Sequence, residues 1–265
     1  MSKRPRLLLT NDDGVLAPGL RELAREMEQM AEVVVVAPDR EQSASGHALT
    51  LQHPLRLEML EEGVYSVDGT PTDCVNLAVL WLMKDDPPDL VLSGINHGLN
   101  LGDDVTYSGT VSATFEGSLL GIPSIAFSQR DQDADRAAAA RFARRLVVDV
   151  LAQEVAPNLL LNVNFPARAF SAASLTRLGK RTYEQVISEK EDPRGRRYFW
   201  ISGTPEWQDE EGTDHAAILA GEVSITPLHL DLTDYRSLAG DARLNQLIAG
   251  LTPSDRADEG PFSDQ

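Results

Sequence analysis

The sequence is poor in cysteine and in basic side chains, and it has no long apolar run. Cys74 is the one cysteine among 265 residues, so no internal disulfide can form, and the usage suits a reducing compartment. The longest apolar stretches, such as Val33 to Ala37, are strand-sized, whereas a membrane-crossing helix needs about 20 such residues. After the basic start Met-Ser-Lys-Arg-Pro-Arg, only Leu7 to Leu9 precede the return of polar residues, which is too short for the apolar core of a secretion signal. A cytoplasmic protein without membrane contact is expected. Lys and Arg number 24 against 41 Asp and Glu, a formal net charge of −17. Polyanion binding needs clustered cations to displace counterions, so no nucleic acid polymer is expected as partner. A small anion can still bind if a metal ion or backbone N–H groups neutralise it locally. Neither a P-loop nor a dinucleotide fingerprint after the first strand is present.

What is present reads as a globular chain, with 42% hydrophobic and 25% charged residues. Up to Ser128, strands and helices alternate. Arg6 to Thr10 and the β-branched run Glu32 to Ala37 read as buried strands. Pro18 to Met30 puts Leu20, Leu23, Ala24 and Met27 on one helical side. Leu49 to Val67 alternates like an antiparallel insertion. Thr70-Pro71-Thr72-Asp73 opens a helix with a capping hydroxyl, a first-turn proline and a capping-box acid. That helix is apolar nearly all round to about Met83, which predicts burial and makes Cys74 a small core residue. Asp89 to Gly94 and Pro123 to Ser128 are further strands, with a helix from Ser108 to Leu120 between them. A long helix from Asp131 to Glu154 and a strand from Leu159 to Asn164 follow.

This alternation predicts an α/β fold, a Rossmann-like open, mostly parallel sheet with helices on both faces. Short β-like runs from Leu175 to Ile225 add a β-rich C-terminal arm. The expected organisation is one domain over 1–252, with a core at about 6–170, an arm at about 171–235, and a disordered polar tail at 253–265.

Ligands of open parallel sheets bind beyond the carboxyl ends of the strands. Three polar segments fall there: Thr10-Asn11-Asp12-Asp13-Gly14, then Asp39-Arg40 leading to Ser43-Ala44-Ser45-Gly46-His47, and Ser93-Gly94-Ile95-Asn96-His97. Adjacent carboxylates repel unless a cation sits between them. Both can reach one ion only if the chain turns, which Gly14 makes easy. With the Ser43 hydroxyl and the Asn96 amide the donor set is all oxygen, which suits Mg²⁺ or Mn²⁺ better than Zn²⁺. A bare Asp-Asp also serves as a turn and helix cap. Ser108-Gly109-Thr110 opens a helix, where N–H groups and the dipole favour an anion, although the same triplet also makes a plain cap. Asp73 is expected to complete a cap. Glu116 reads either as support for the site or as a solvated helix residue. His47 is a candidate for proton transfer.

These motifs in this order resemble the survival protein E (SurE) family of metal-dependent nucleotidases. The resemblance runs through Leu9 to Gly14, Ala37 to Arg40, Gln42 to His47, Gly69 to Val75, Ser93 to Asn96 and Tyr107 to Ala113. It continues through Asn162-Val163-Asn164-Phe165-Pro166, Asp192 to Gly195, Thr213-Asp214 and Val223 to Leu228, and so covers roughly Leu7 to Thr233. It implies one divalent metal ion per subunit, Mg²⁺ or Mn²⁺, on Asp12, Asp13, Ser43 and Asn96, with Asp12 and Asp13 as the catalytic pair. It further implies that Ser108, Gly109 and Thr110, with Asn11 nearby, hold the substrate phosphate. His97 sits where the family varies and is given no role.

The expected reaction is hydrolysis of nucleoside 5′-monophosphates, and of 3′-monophosphates, by in-line attack of a metal-activated water, with short polyphosphate as a side substrate. A homodimer or homotetramer is implied, with the arm taking part. Two competing readings are distinguishable. A phospho-aspartate phosphatase spaces its aspartates two apart, whereas these are adjacent. A non-catalytic nucleotide sensor would bind nucleoside monophosphate without releasing phosphate.

Overall fold

A computed structural model describes residues 4–250, apart from 131–134, 154, 157, 168, 185–186, 202–203 and 209. The elements follow the expected alternation. They are β1 (Arg6–Thr10), α1 (Pro18–Met27), β2 (Glu32–Pro38), β3 (Leu57–Glu61), β4 (Val64–Val67), α2 (Pro71–Leu77) and β5 (Leu90–His97). Then come α3 (Gly109–Leu119), β6 (Ser124–Gln129), α4 (Arg136–Leu151) and β7 (Leu160–Phe165). The C-terminal part holds β8 (Ala173–Leu175), β9 (Arg181–Glu184), β10 (Ile187–Glu191), β11 (Arg197–Ile201), β12 (Thr204–Trp207), α5 (Asp214–Leu219) and β13 (Val223–Pro227). Two short helices, α6 (Tyr235–Gly240) and α7 (Ala242–Gly250), follow.

One sheet of nine strands runs in the order β3-β4-β2-β1-β5-β6-β7-β13-β8. Its six central strands, β4-β2-β1-β5-β6-β7, are mutually parallel. In chain order they are 3-2-1-4-5-6, the doubly wound arrangement whose reversal between the first and fourth strands opens a crevice at their carboxyl ends. Here those strands are β1 and β5. Alternating side chains of β1 feed two cores, as a strand covered on both faces requires. Leu7 and Leu9 pack with Leu20, Leu23 and Met27 of α1 and with Ala139, Ala143 and Val147 of α4. Leu8 faces the other way, into Cys74 and Val75 of α2 and Ala113 of α3.

Helix α2 begins with the expected capping box: the Thr70 hydroxyl accepts from the Asp73 N–H at 3.1 Å, and the Asp73 carboxylate accepts from the Thr70 N–H at 2.9 Å. It stops at Leu77 and continues as one π-helical turn over Ala78–Leu82. Burial is also one-sided where all-round burial was expected, since Leu80 and Trp81 are exposed while Cys74, Val75 and Ala78 are buried. A single layer of helices covers that side of the sheet, so its outer face meets water.

The segment expected as an arm divides. β8 and β13 join the main sheet, β13 antiparallel to β7 and parallel to β8. Two antiparallel pairs, β9 with β12 and β10 with β11, stand outside that sheet. Helix α5, which the sequence reading did not expect there, is capped by the Thr213 hydroxyl. Contacts divide the chain into two units, with the boundary between His229 and Leu230. In the second unit α6 buries no side chain. The tail at 253–265 lies outside the described residues, and no described helix is long and apolar enough to cross a membrane.

Candidate active site

The crevice at the β1–β5 reversal has a volume of about 330 Å³, and Asp12, Ser43, Asn96, Asp104 and Ser108 are among its lining residues. Three of the four expected metal ligands thus share one cavity. The fourth, Asp13, adjoins it through the peptide N–H of His97, which donates to Asp13 Oδ2 at 3.2 Å.

The chain after β1 turns sharply, with Gly14 at φ +99°. The turn is locked from inside: the Asn11 amide donates to the Gly14 carbonyl at 2.9 Å. Asn11 is fully buried, and its amide donor holds the turn. The loop after β2 is tied to the same turn, because the Val15 N–H donates to the Pro38 carbonyl at 2.8 Å and the Gln42 N–H to the Asp12 carbonyl at 2.7 Å. These bonds carry Ser43 to the crevice. The Ser43 hydroxyl donates to Glu41 Oε1 at 2.7 Å, which leaves its oxygen lone pairs as acceptors. On the opposite wall β5 shifts register between Ser93 and Asn96. The Asn96 amide nitrogen donates to the Gly98 carbonyl at 3.2 Å, so the amide oxygen is the remaining donor to a cation.

Helix α3 meets this pair of walls end-on. Ser108 is its N-cap, accepting from the Val111 N–H at 3.1 Å. Gly109 lies against Asp12 so closely that a Cβ there would stand 2.8 Å from the Asp12 Cβ and 2.9 Å from both Asp12 Oδ2 and Ser45 Oγ. The Thr110 hydroxyl donates to Asp12 Oδ1. The first turn of α3 therefore already holds one anion, the Asp12 carboxylate. Thr110 serves that carboxylate directly.

Asp12 is 5% exposed, and its pKa is pushed up to about 6 from an ordinary 3.8, chiefly by burial, with the Asp13 charge adding and the Thr110 hydroxyl opposing. Asp104 on the crevice wall is also raised by burial, while Arg181 pulls it down. Among the described residues no Lys or Arg lines the crevice. Among the described residues no three His, Cys, Asp or Glu side chains form a metal-binding group, so a cation here would depend on two carboxylates and neutral oxygens.

Sequence reasoning passed over two groups. Ser45 carries a buried hydroxyl with no hydrogen-bond partner, close to Gly109 and Asp12. Asp104 belongs to a 3₁₀ turn over Gly102–Thr106 that no periodicity announces. Ser45 lay within a recognised motif, and its position beside the carboxylate pair was the available signal. His47 is absent from the crevice lining: its Nε2 lies 2.7 Å from Glu116 Oε2, and the Asn76 amide donates to Glu116 Oε1 at 2.8 Å. Glu116 is thus a buried carboxylate held below its usual range, first by the His47 hydrogen bond. Cys74 is fully buried, and burial pushes its thiol up, as expected for a core residue.

A doubly wound sheet with a carboxylate pair at its reversal, facing a helix N-terminus, defines a Rossmann-like α/β protein with an oxygen-lined crevice. Within that class the chain belongs to the survival protein SurE family, whose model matches residues 7–185. It is 53% identical over 239 residues to a 5′-nucleotidase SurE of Geobacter metallireducens, covering 88% of this chain and 94% of that one. It is 54% identical over 241 residues to a 5′-nucleotidase SurE of Geotalea uraniireducens, with coverage of 88% and 96%. The crystal structure of the SurE protein from Aquifex aeolicus superposes with a TM-score of 0.81 at 44% identity, over 91% of this chain and 100% of that chain.

Proposed function

We propose that the protein is a divalent-metal-dependent 5′-nucleotidase, which releases phosphate from nucleoside 5′-monophosphates with Mg²⁺ or Mn²⁺ held by Asp12, Asp13, Ser43 and Asn96. Membership of the family and the names of relatives more than half identical support the nucleotidase activity. The observation that carries the metal is the sign of the crevice. Asp12 lines it with Asp13 alongside, Asp104 is already ion-paired with Arg181 at 2.7 Å, and no Lys or Arg among the described residues lines it. It would nevertheless receive a phosphate dianion, and like charges at short range in a partly dry cavity repel strongly. A cation between the two resolves this, and carboxylate, hydroxyl and amide oxygens are the donors that hard divalent ions take. When bound, the ion would neutralise phosphoryl charge and acidify a water, the chemistry that makes ester hydrolysis possible near neutral pH.

The chain's own residues fix the geometry for that chemistry. Thr110 holds the Asp12 carboxylate in place, so little reorganisation is needed as charge develops. Gly109 lets the helix end approach Asp12 within van der Waals range, which brings the first-turn N–H groups of α3 toward the phosphoryl oxygens. The reading extends to 3′-monophosphates and, as a side activity, to short polyphosphate, because the crevice would recognise the phosphoryl end. Exposed Phe199 and Trp200 on the β10–β11 ribbon support assembly of two or four chains through that ribbon.

Phosphate release from 5′-AMP, 5′-GMP, 3′-AMP and an aryl phosphate, with Mn²⁺, Mg²⁺ or chelator, tests the proposal. Release from the 5′-nucleotides should vanish in chelator and return with either ion. Tight nucleotide binding without phosphate release would identify a sensor instead.

A further inference from the structure

His47 stands outside the crevice, yet it belongs to the loop that carries Ser43 into it. We infer that His47 is a positioning residue for the metal ion, clamping the Ser43 loop to α3 and so setting where the Ser43 hydroxyl stands relative to Asp12. The inference rests on the metal-dependent reading, in which Ser43 is a ligand.

The loop needs such a clamp. Residues 39–56 contain no helix or strand. Ala44, next to Ser43, is the one non-glycine residue among those described with a positive φ, at +57°. That conformation is unfavourable for an L side chain and persists only where surrounding contacts over-determine it. Upstream of Ala44, the Gln42 N–H donates to the Asp12 carbonyl at 2.7 Å. Downstream, the Gly46 N–H reaches the Tyr107 carbonyl only at 3.2 Å, and the shorter contact is that of His47 Nε2 with Glu116 Oε2, at 2.7 Å.

Glu116 is a fixed point. It is buried on α3, and its Oε1 accepts from the Asn76 amide of α2 at 2.8 Å. The two helices pack through Cys74, Val75 and Ala113 against Leu8 of β1, the strand that leads into the Asp12 turn. The Glu116 carboxyl is held below its usual range, first by the His47 hydrogen bond. An ionised carboxylate only accepts, so His47 Nε2 carries the donated proton, and hydrogen bonds to a charged partner are the strong ones. Phe115 meets the imidazole edge-on, with centroids 6.0 Å apart and planes at 83°, which fixes the ring plane. Its Nε2 is thus spent on Glu116, and positioning takes the place of the proton transfer expected of His47. Through it the Ser43 loop is fastened to the helix whose first turn holds Asp12.

Calorimetry of Mn²⁺ binding to the full chain tests this in wild type, His47→Ala and His47→Gln, in which the glutamine amide can take over the donation to Glu116. Removing a group that supports a metal ligand typically weakens binding about 10- to 100-fold, so Kd for Mn²⁺ should rise about tenfold in His47→Ala and stay near wild type in His47→Gln. With Mn²⁺ saturating each protein, KM for 5′-GMP should stay within about twofold of wild type, a split that general loss of structure would not produce. An unchanged Kd in His47→Ala, or an equal loss in both variants, would overturn the inference. Tryptic cleavage after exposed Arg40, followed by mass spectrometry without metal, reads the clamp independently. Cleavage should be about tenfold faster in His47→Ala than in wild type or His47→Gln, because proteolysis tracks local opening. If the wild type binds no Mn²⁺, the metal reading fails. The cleavage difference would then still support the clamp, and its absence would overturn the clamp as well.

Discussion

Asp12 carries two opposing demands. Folding buries it beside Asp13, and burial raises its pKa to about 6 from 3.8. A carboxyl group whose folded pKa lies above its unfolded value binds more protons when folded. Stability of the metal-free protein therefore falls as pH rises from about 4 to about 6 and stays reduced above that, by an amount on the order of 3 kcal/mol. Asp12→Asn removes the ionisation, so the metal-free variant is expected to be more stable than wild type at pH 7.5 by about 1 to 3 kcal/mol in urea unfolding. A variant less stable than wild type there would contradict this origin of the shift. The same proton competes with a cation, so metal affinity should weaken as pH drops below about 6.

Gly109→Ala attacks the same carboxylate from the helix side. Its Cβ would meet Asp12 and Ser45 inside 3 Å, and activity should fall at least about a hundredfold, given how steeply rate depends on placement. Circular dichroism should show the fold retained. These residues were legible in the sequence because three polar segments sat at predicted strand ends. Their partners were not: that Thr110 and Asn11 spend their donors on Asp12 and Gly14 depends on side-chain directions that spacing does not encode.

At the scale of elements, local signals named β1, β2 and β5 and the helices between them, since continuous apolar strands and capped helices announce themselves. The C-terminal half was harder to read. β8 and β13 look like the ribbon strands around them, and only the long-range pairing of β13 with β7, and of β8 with β13, assigns them to the main sheet. Helix α5 is six residues long, too short for a periodic pattern. Its first residue nevertheless organises that region: the Asp214 carboxylate accepts from three backbone N–H groups, of Gly102, Gly179 and His215, each at 2.8 Å. Asp214→Ala would leave buried donors unsatisfied and is expected to cost about 3 kcal/mol or more. Denaturant unfolding would measure this, and a cost below about 1 kcal/mol would show that water replaces the carboxylate.

For the whole molecule, an acidic chain that processes a small anion needs local neutralisation, which the proposed metal ion would supply at the reversal between β1 and β5. A ligand that binds only the folded state stabilises it by about 2.7 kcal/mol at a hundred times its Kd. Saturating Mn²⁺ should therefore raise the melting temperature by roughly 5 to 10 °C over chelator, and this gain should disappear in Asp12→Asn. The most direct measurement titrates Mn²⁺ by calorimetry into chelator-treated wild type and Asp12→Asn at pH 7.5, then assays the same samples for phosphate release from 5′-GMP. One ion per wild-type chain is expected, with both binding and hydrolysis lost in the variant. Equal stoichiometry, affinity and turnover in the two proteins would contradict it.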